Sequence, residues 1–275
     1  MDFLPTVLEA AVAAGNAALE VYSRDFSVFE KPDHSPITLA DTRSHAIILE
    51  ALKDTGIPVL SEEGADIDYA ERSRWRALWV VDPLDGTKEF VKRNGEFTVN
   101  IALVKGNSPV LGVIYVPVWS RLYWGTSGGG ACRADLQEPL QLKSGEFERI
   151  MKEAAPISVH FGRSRPFTIV GSRSHMTPEV ERFVAAKRGE FGEVEFVSAG
   201  SSLKFCQIAE GNADLYPRLG PTMEWDTAAG HMIAQAAGAR VFRYDTGEAL
   251  LYNKENLTNP WFIVSNGRDE QEVPA

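Results

Sequence analysis

The run Trp79-Val80-Val81-Asp82-Pro83-Leu84-Asp85-Gly86-Thr87 restricts this chain more than any other segment, because an apolar strand leads directly into two acids held by proline and glycine. Proline confines the residue before it to extended geometry, so Asp82 leaves the strand end in a defined direction. Gly86 permits a sharp turn into whatever follows. Two carboxylates can then face one point. Hard oxygen ligands grouped in this way suit magnesium, which takes a few carboxylates, keeps several waters and leaves room for phosphate oxygens. The Leu84 carbonyl between the acids is a further candidate ligand. Taken alone, the segment also fits an Asp-rich turn that only caps a helix.

Two other segments resemble this design. Val59-Leu60-Ser61-Glu62-Glu63-Gly64 is an apolar strand ending in adjacent acids and a glycine. Neighbouring side chains on an extended strand point to opposite sides, so one of Glu62 and Glu63 aims at the shared point and the other lies behind it or in solvent. Glu224-Trp225-Asp226-Thr227-Ala228-Ala229-Gly230 sets Asp226 at the start of an alanine-rich helix, where an N-cap is its plain role.

The remainder of the chain predicts a mixture of helix and sheet. Apolar spacing gives a first helix over 4–21 and a second over 39–53, the second capped by Thr38, with Asp41 in its first turn and Gly56 and Pro58 ending it. Strands are expected at 59–60, 77–81, 97–104 and 110–116, with Gly106-Asn107 turning the last pair. The pattern weakens between Lys143 and Pro166, which suggests an α+β lobe over residues 1–156 and an α/β lobe over residues 157–275. In the second lobe, strands at 167–170, 194–197, 213–216, 239–242 and 262–264 are separated by helices at 179–187, 202–210 and 227–237.

Charge and cysteines narrow the classes of function. With 38 acidic against 28 basic residues the formal charge is -10, which repels polyanions and argues against a general nucleic-acid surface; a phosphate-bearing ligand then needs a cation to mediate. Cys132 and Cys206 have no paired-ligand spacing, so neither a zinc site nor a disulfide framework is expected, and a reducing compartment fits. The N-terminal apolar stretch carries Glu9 and Asn16 and lacks a basic leader, so an amphipathic helix is expected there rather than a signal or a membrane span.

Together, Ser61-Glu62-Glu63-Gly64, Asp82-Pro83-Leu84-Asp85-Gly86-Thr87 and Trp225-Asp226-Thr227-Ala228-Ala229-Gly230, in that order and spacing, resemble the signatures of the inositol monophosphatase superfamily across essentially the whole chain. The resemblance implies a layered αβαβα sandwich of the inositol monophosphatase and fructose bisphosphatase type, and a phosphomonoesterase that uses two or three Mg2+ ions. Carried over by position, Glu62, Asp82 and the Leu84 carbonyl would hold one ion and Asp82, Asp85 and Asp226 a second, with Glu62 sharing a third and weaker one. Asp41, in Ser35-Pro36-Ile37-Thr38-Leu39-Ala40-Asp41, matches another family acid near the metal waters, although a first-turn role in its helix explains it nearly as well. In the mechanism so implied, one ion lowers the pKa of the attacking water and another stabilises the leaving oxygen. Glu62, Asp82 and Thr87 form the catalytic group, the Thr87 hydroxyl passing the water's proton to Glu62 or Glu63. Amides around Gly86 and Thr87 would bind phosphate oxygens, and a helix cap would compete for the same threonine hydroxyl.

The residues flanking these motifs point to a substrate. Lys88-Glu89-Phe90 resembles the bisphosphate nucleotidases of the CysQ type, where inositol phosphatases usually show Thr-Asn-Phe. Gly200-Ser201-Ser202-Leu203-Lys204-Phe205-Cys206 and Tyr216-Pro217-Arg218 resemble the nucleotidase substrate lobe. This resemblance assigns Lys204 and Arg218 to a second phosphate, Ser201 to the nucleotide, and His175 to the 5'-phosphate or base, beside Glu62, Leu84, Asp85, Gly86, Thr87 and Asp226 around the reacting phosphate. Read without it, Lys204 and Arg218 are solvated helix and strand-end charges. The expected substrate is 3'-phosphoadenosine 5'-phosphate, with 3'-phosphoadenylyl sulfate as a second, and lithium as an inhibitor. Inositol 1-phosphate hydrolysis is the alternative within the superfamily, and a non-catalytic metal or nucleotide sensor the alternative outside it. The resemblance further implies a cytoplasmic enzyme, monomeric or weakly dimeric. Some bacterial relatives lie on the cytoplasmic face of the inner membrane, but the chain shows no basic amphipathic anchor.

Overall fold

A computed structural model describes residues 3–30, 36–136, 146–159, 165–172 and 176–271. A short antiparallel pair, β1 (Val28–Glu30) and β2 (Pro36–Thr38), precedes two sheets. The larger sheet follows chain order through β3 (Val59–Ser61), β4 (Ala77–Asp85), β5 (Thr98–Lys105), β6 (Ser108–Val116), β7 (Arg121–Thr126), β8 (Gly130–Asp135) and β9 (Ala155–Ile157). Only β3 and β4 run parallel in it; the other neighbours are antiparallel. The smaller sheet uses β10 (Phe167–Gly171), β11 (Val194–Ser198), β12 (Leu215–Arg218), β13 (Arg240–Arg243) and β14 (Phe262–Ser265), in the order β11-β10-β12-β14-β13. The helices are α1 (Leu4–Tyr22), α2 (Leu39–Leu52), α3 (Tyr69–Arg72), α4 (Thr87–Val91), α5 (Glu146–Glu153), α6 (Pro178–Phe191), α7 (Leu203–Ala209), α8 (Ala228–Ala236) and α9 (Arg268–Gln271).

Alternation along the strands builds the layers. Trp79 and Val81 of β4, Ile101 and Leu103 of β5, and Val113 and Tyr115 of β6 pack on α1 and α2. Their neighbours Leu78 and Val80, Ala102 and Val104, and Ile114 and Val116 face the other way, onto α7 and α8. Those two helices also cover Tyr216, Phe262 and Val264 of the smaller sheet, whose opposite face, with Ile169, Leu215 and Ile263, is closed by Val180 and Val184 of α6. The result is the α-β-α-β-α stack that the resemblance implies.

The central layer is tightly packed, which fixes where α8 begins. Residues Ala228 through Ala234 are all buried. A Cβ on Gly112 of β6 would come within 2.4 Å of the Ala229 carbonyl oxygen, and one on Gly230 within 2.4 Å of the Phe205 ring. Glycine and alanine therefore let α8 lie directly between the sheets.

α1 is long and apolar enough to cross a membrane by length and composition, with half of its most apolar stretch buried in the fold. Val7, Leu8, Ala11 and Val12 are all wholly buried with the larger sheet, the setting of a core helix. Elements outside the sequence expectations are β1, β2, α3, α4, β7, β8 and α9, and also α5 and β9, which form where the pattern weakens. In α5, Phe147 and Ile150 alone supply a buried face among charged residues. β12 starts two residues later than expected. Just before it, the Asp214 carboxylate accepts from Arg165, whose nitrogens lie 2.6 and 2.8 Å away, and from the Thr168 amide at 2.7 Å. Cys132 and Cys206 are both free thiols, Cys206 buried and Cys132 partly exposed.

Candidate active site

Asp82 and Asp85 converge because the β4–β5 ladder is irregular between them. Asp82 pairs with Asn100 and Asp85 with Thr98, so three steps on β4 oppose two on β5. On a regular strand, residues three apart face opposite sides; the extra residue of a bulge returns them to one side. Gly86, at φ 92°, then turns the chain from the strand into α4. Asp226 arrives from the segment before α8, where buried Glu224 accepts hydrogen bonds from the amides of Asn253 (2.5 Å) and Lys254 (3.0 Å). Oxygen atoms of Asp82, Asp85 and Asp226 lie within 4.8 Å of one another.

Glu62 stands beside this trio and Glu63 faces elsewhere. Residues Glu62–Gly64 form a single 3-10 turn, in which successive side chains diverge by about 120° rather than alternating as on a strand. The charge of Glu62 acts on Asp82 and Asp226, whereas that of Glu63 acts on Asp41 and His45. Burial holds the Asp82 carboxyl well above the usual range, and Glu62, Asp85 and Asp226 add to the shift. Burial and the Asp85 charge push Asp226 up to about 8. Carboxylates crowded in this way need a cation, and an all-oxygen donor set of this kind fits a hard divalent ion.

Each acid is oriented by neighbours. Asp85 Oδ2 accepts from Ser201 Oγ (2.6 Å), Ser202 Oγ (2.8 Å) and Asn100 Nδ2 (3.2 Å). Asp82 Oδ1 accepts from the Leu84 amide at 3.0 Å, and Asp226 Oδ2 from the Met223 amide at 2.8 Å. Thr98 hydrogen-bonds both Asn100 (2.8 Å) and Ser201 (2.6 Å), tying the end of β5 to the turn before α7. Asn100, Ser202 and Thr98 were not singled out from the sequence; the only signal is a pair of polar residues inside the apolar run of β5.

Thr87 is the first residue of α4, whose N-cap is Gly86, so its hydroxyl does not serve as the N-cap. It lies 3.3 Å from Asp41 Oδ1 and 3.5 Å from the Leu84 carbonyl. Asp41 is thus an acid beside Thr87, where the sequence named Glu62 or Glu63 for the relay. Asp41 Oδ2 meanwhile accepts from the Thr38 amide and hydroxyl, both at 2.7 Å. Its two oxygens therefore divide the capping role and the approach to Thr87.

These groups open onto a cavity of about 230 Å³, lined among others by Glu62, Asp85, Thr87, Ser201, Lys204, Arg218 and Asp226. The model of the inositol monophosphatase family matches residues 2–272. The chain belongs to the inositol monophosphatase family. It is 43% identical to the 3'(2'),5'-bisphosphate nucleotidase CysQ of Salmonella typhimurium (strain LT2), over 95% of this chain and 99% of that protein. It is 42% identical to the protein of the same name from Escherichia coli (strain K12), with the same coverage. The crystal structure of CysQ from Bacteroides thetaiotaomicron, described as a bacterial member of the inositol monophosphatase family, superposes with a TM-score of 0.86 at 50% identity, covering 95% of this chain and 96% of that one.

The family is metal-dependent, and the acidic trio is consistent with that. Lys204 also lines the cavity, and the structure corrects the view of it as a solvated charge. The side chain is buried on α7, its Nζ donates to the carbonyls of Ala199 (3.3 Å) and Ser201, and burial lowers its pKa to about 8. Arg218, at the end of β12, donates from Nη2 to the Pro221 carbonyl at 2.7 Å, while its buried Nε has no partner among the described residues. Ser201, in left-handed geometry at φ 49°, directs its hydroxyl to Asp85 and Thr98. His175 lies outside the described residues.

Proposed function

We propose that this chain is a Mg2+-dependent phosphomonoesterase that removes the 3'-phosphate of 3'-phosphoadenosine 5'-phosphate, giving AMP and phosphate. The observation that carries it is one cavity lined both by acids, Glu62, Asp85 and Asp226, and by two cations, Lys204 and Arg218. A bisphosphate has one phosphate to be split and one to be held, and a lining that combines acids for the ions with two cations suits that division. The names of the relatives at 42–43% identity support the same substrate.

Glu62, Asp82, Asp85, Asp226 and the Leu84 carbonyl would hold two or three Mg2+ ions. Bound there, the ions supply charge neutralisation for the phosphate and leaving oxygens and a lowered pKa for the attacking water. The Thr87 hydroxyl passes that water's proton towards Asp41, the carboxylate 3.3 Å away. Ser201, Ser202 and Asn100 keep Asp85 in place, and the amides of Gly86 and Thr87 face the phosphate. Lys204, Arg218 and His175 hold the second phosphate or the base. 3'-phosphoadenylyl sulfate is a second substrate, lithium competes with magnesium, and the enzyme works in the cytoplasm as a monomer or weak dimer.

The test is phosphate release from 3'-phosphoadenosine 5'-phosphate and inositol 1-phosphate side by side, with Mg2+, with EDTA and with added lithium. Preference for the nucleotide, lost in EDTA and reduced by lithium, is expected. Preference for the inositol ester would overturn the substrate, and inactivity on both would overturn the enzymatic reading.

A further inference from the structure

Among the described residues four acids line the catalytic cavity, and Glu62, Asp85 and Asp226 are assigned above to the ion site; Glu89 is not. It is the third residue of α4, two positions after Thr87. Its side chain occupies a slot that two glycines leave open. A Cβ on Gly86 would lie 3.4 Å from Glu89 Oε2, and a Cβ on Gly200 only 2.9 Å from Glu89 Cγ. The carboxylate thus sits against the catalytic turn on one side and the turn that leads to Ser201 and Lys204 on the other, and its charge reaches Lys204. The carboxylate itself makes no hydrogen bond or ion pair with any described residue.

A carboxylate is an acceptor only. Set in a cavity that seats phosphates, an unsatisfied acceptor repels a phosphate laid on it and rewards a hydroxyl or amine. Resting on the function proposed above, we infer that Glu89 accepts a hydrogen bond from the ribose 2'-hydroxyl of the bound nucleotide, the hydroxyl on the carbon next to the reacting phosphate. Its contact with Gly86 places it beside Asp85 and Thr87, where the phosphate reacts, whereas the adenine amine is at the far end of the nucleoside. A carboxylate at this place serves 3'- and 2'-phosphates alike, since each has a free hydroxyl on the neighbouring carbon. It makes the site selective for a ribose, or another sugar phosphate with a vicinal hydroxyl, over a deoxyribose.

The experiment is a cycle of two proteins and two substrates. kcat/KM is measured for the wild type and Glu89→Ala with 3'-phosphoadenosine 5'-phosphate and with its 2'-deoxy analogue, with Glu89→Gln as the isosteric variant. Removing the 2'-hydroxyl is expected to cost the wild type about tenfold or more, as for a hydrogen bond to a charged group, and to cost Glu89→Ala almost nothing. Glu89→Gln, which keeps a weaker acceptor, falls between. Equal losses on both substrates in both variants, or a wild type indifferent to the 2'-hydroxyl, overturn the inference. So does selectivity that moves instead with the exocyclic amine, read from the inosine analogue. A wild type that releases no phosphate from either nucleotide is a separate result, and overturns the function on which the inference rests. Should Glu89→Ala not fold, Glu89→Gln with the same two substrates decides the matter.

Discussion

Replacing Asp85 by asparagine should stabilise the ion-free protein while it destroys the ion site. Carboxylate oxygens of Asp82, Asp85 and Asp226 lie within 4.8 Å of one another. At that separation an ionised pair repels by about 3.5 kcal/mol in an effective dielectric of about 20. Asp226, with its pKa at about 8, is about half protonated at pH 8, so its part of the repulsion relieved falls to about 2 kcal/mol. The amide still accepts from Ser201 and Ser202, at some loss because those bonds are no longer charge-assisted, on the order of 1 kcal/mol. A net gain of about 1 kcal/mol corresponds to a Tm higher by roughly 2–4 °C in EDTA. Mg2+ should reverse the order: at a hundredfold excess over its Kd an ion adds about 2.7 kcal/mol to the wild type, and far less to the variant. Thermal denaturation of both proteins at pH 8, in EDTA and in Mg2+, with phosphate release alongside, checks this. An Asp85→Asn protein less stable than the wild type in EDTA, or one that gains as much from Mg2+, would refute the electrostatic account of the site.

The pH dependence of the ion-free protein follows from Asp226, whose folded pKa of about 8 lies above the ordinary 3.8. The folded state then binds more protons than the unfolded one, so stability should fall as pH rises from about 4 to about 8, and bound Mg2+ should reverse the trend. Urea midpoints at pH 5 and pH 8 decide it; ion-free stability that climbs over this window contradicts the assignment. Thr87→Ala should lower kcat by about 10²–10⁴-fold with Mg2+ binding kept, Thr87→Ser should restore most of it, and Asp41→Asn should fall likewise while losing about 1 kcal/mol of stability from the α2 cap. Steady-state kinetics with parallel Mg2+ titration separates these outcomes from simple unfolding. Gly112→Ala should cost about 1–3 kcal/mol in chemical denaturation, because its new methyl would meet the Ala229 backbone oxygen at 2.4 Å, an atom that cannot swing aside.

What could be read from the sequence follows a physical division. The acids assigned to the ions lie in the last residues of β4 or ahead of a helix, where proline, glycine or a helix start marks them: Asp82 before Pro83, Asp85 before Gly86, Asp226 two residues ahead of α8. The cap of α2 was legible for the same reason, since Thr38 and Asp41 are three residues apart and bond to one another. What decides how the acids act was not local. The bulge that swings Asp82 and Asp85 to one side is a matter of register with β5, and register depends on two strands at once. The Thr87–Asp41 pair spans 46 residues, so the partner of the threonine could be named only after α2 had been packed on the larger sheet. Lys204 carries a charge and sits on a short helix, which in isolation describes a solvated side chain; its burial comes from the layer of sheet on either side of α7. The same reasoning explains Thr98, Asn100 and Ser202. A hydroxyl or amide has no preferred partner until the fold supplies one, and here the fold supplies Asp85 to Asn100 and Ser202, and Ser201 to Thr98. A sequence therefore shows which oxygen atoms carry charge at this site, and the packing of α2, α7 and α8 on the sheets determines which groups orient them.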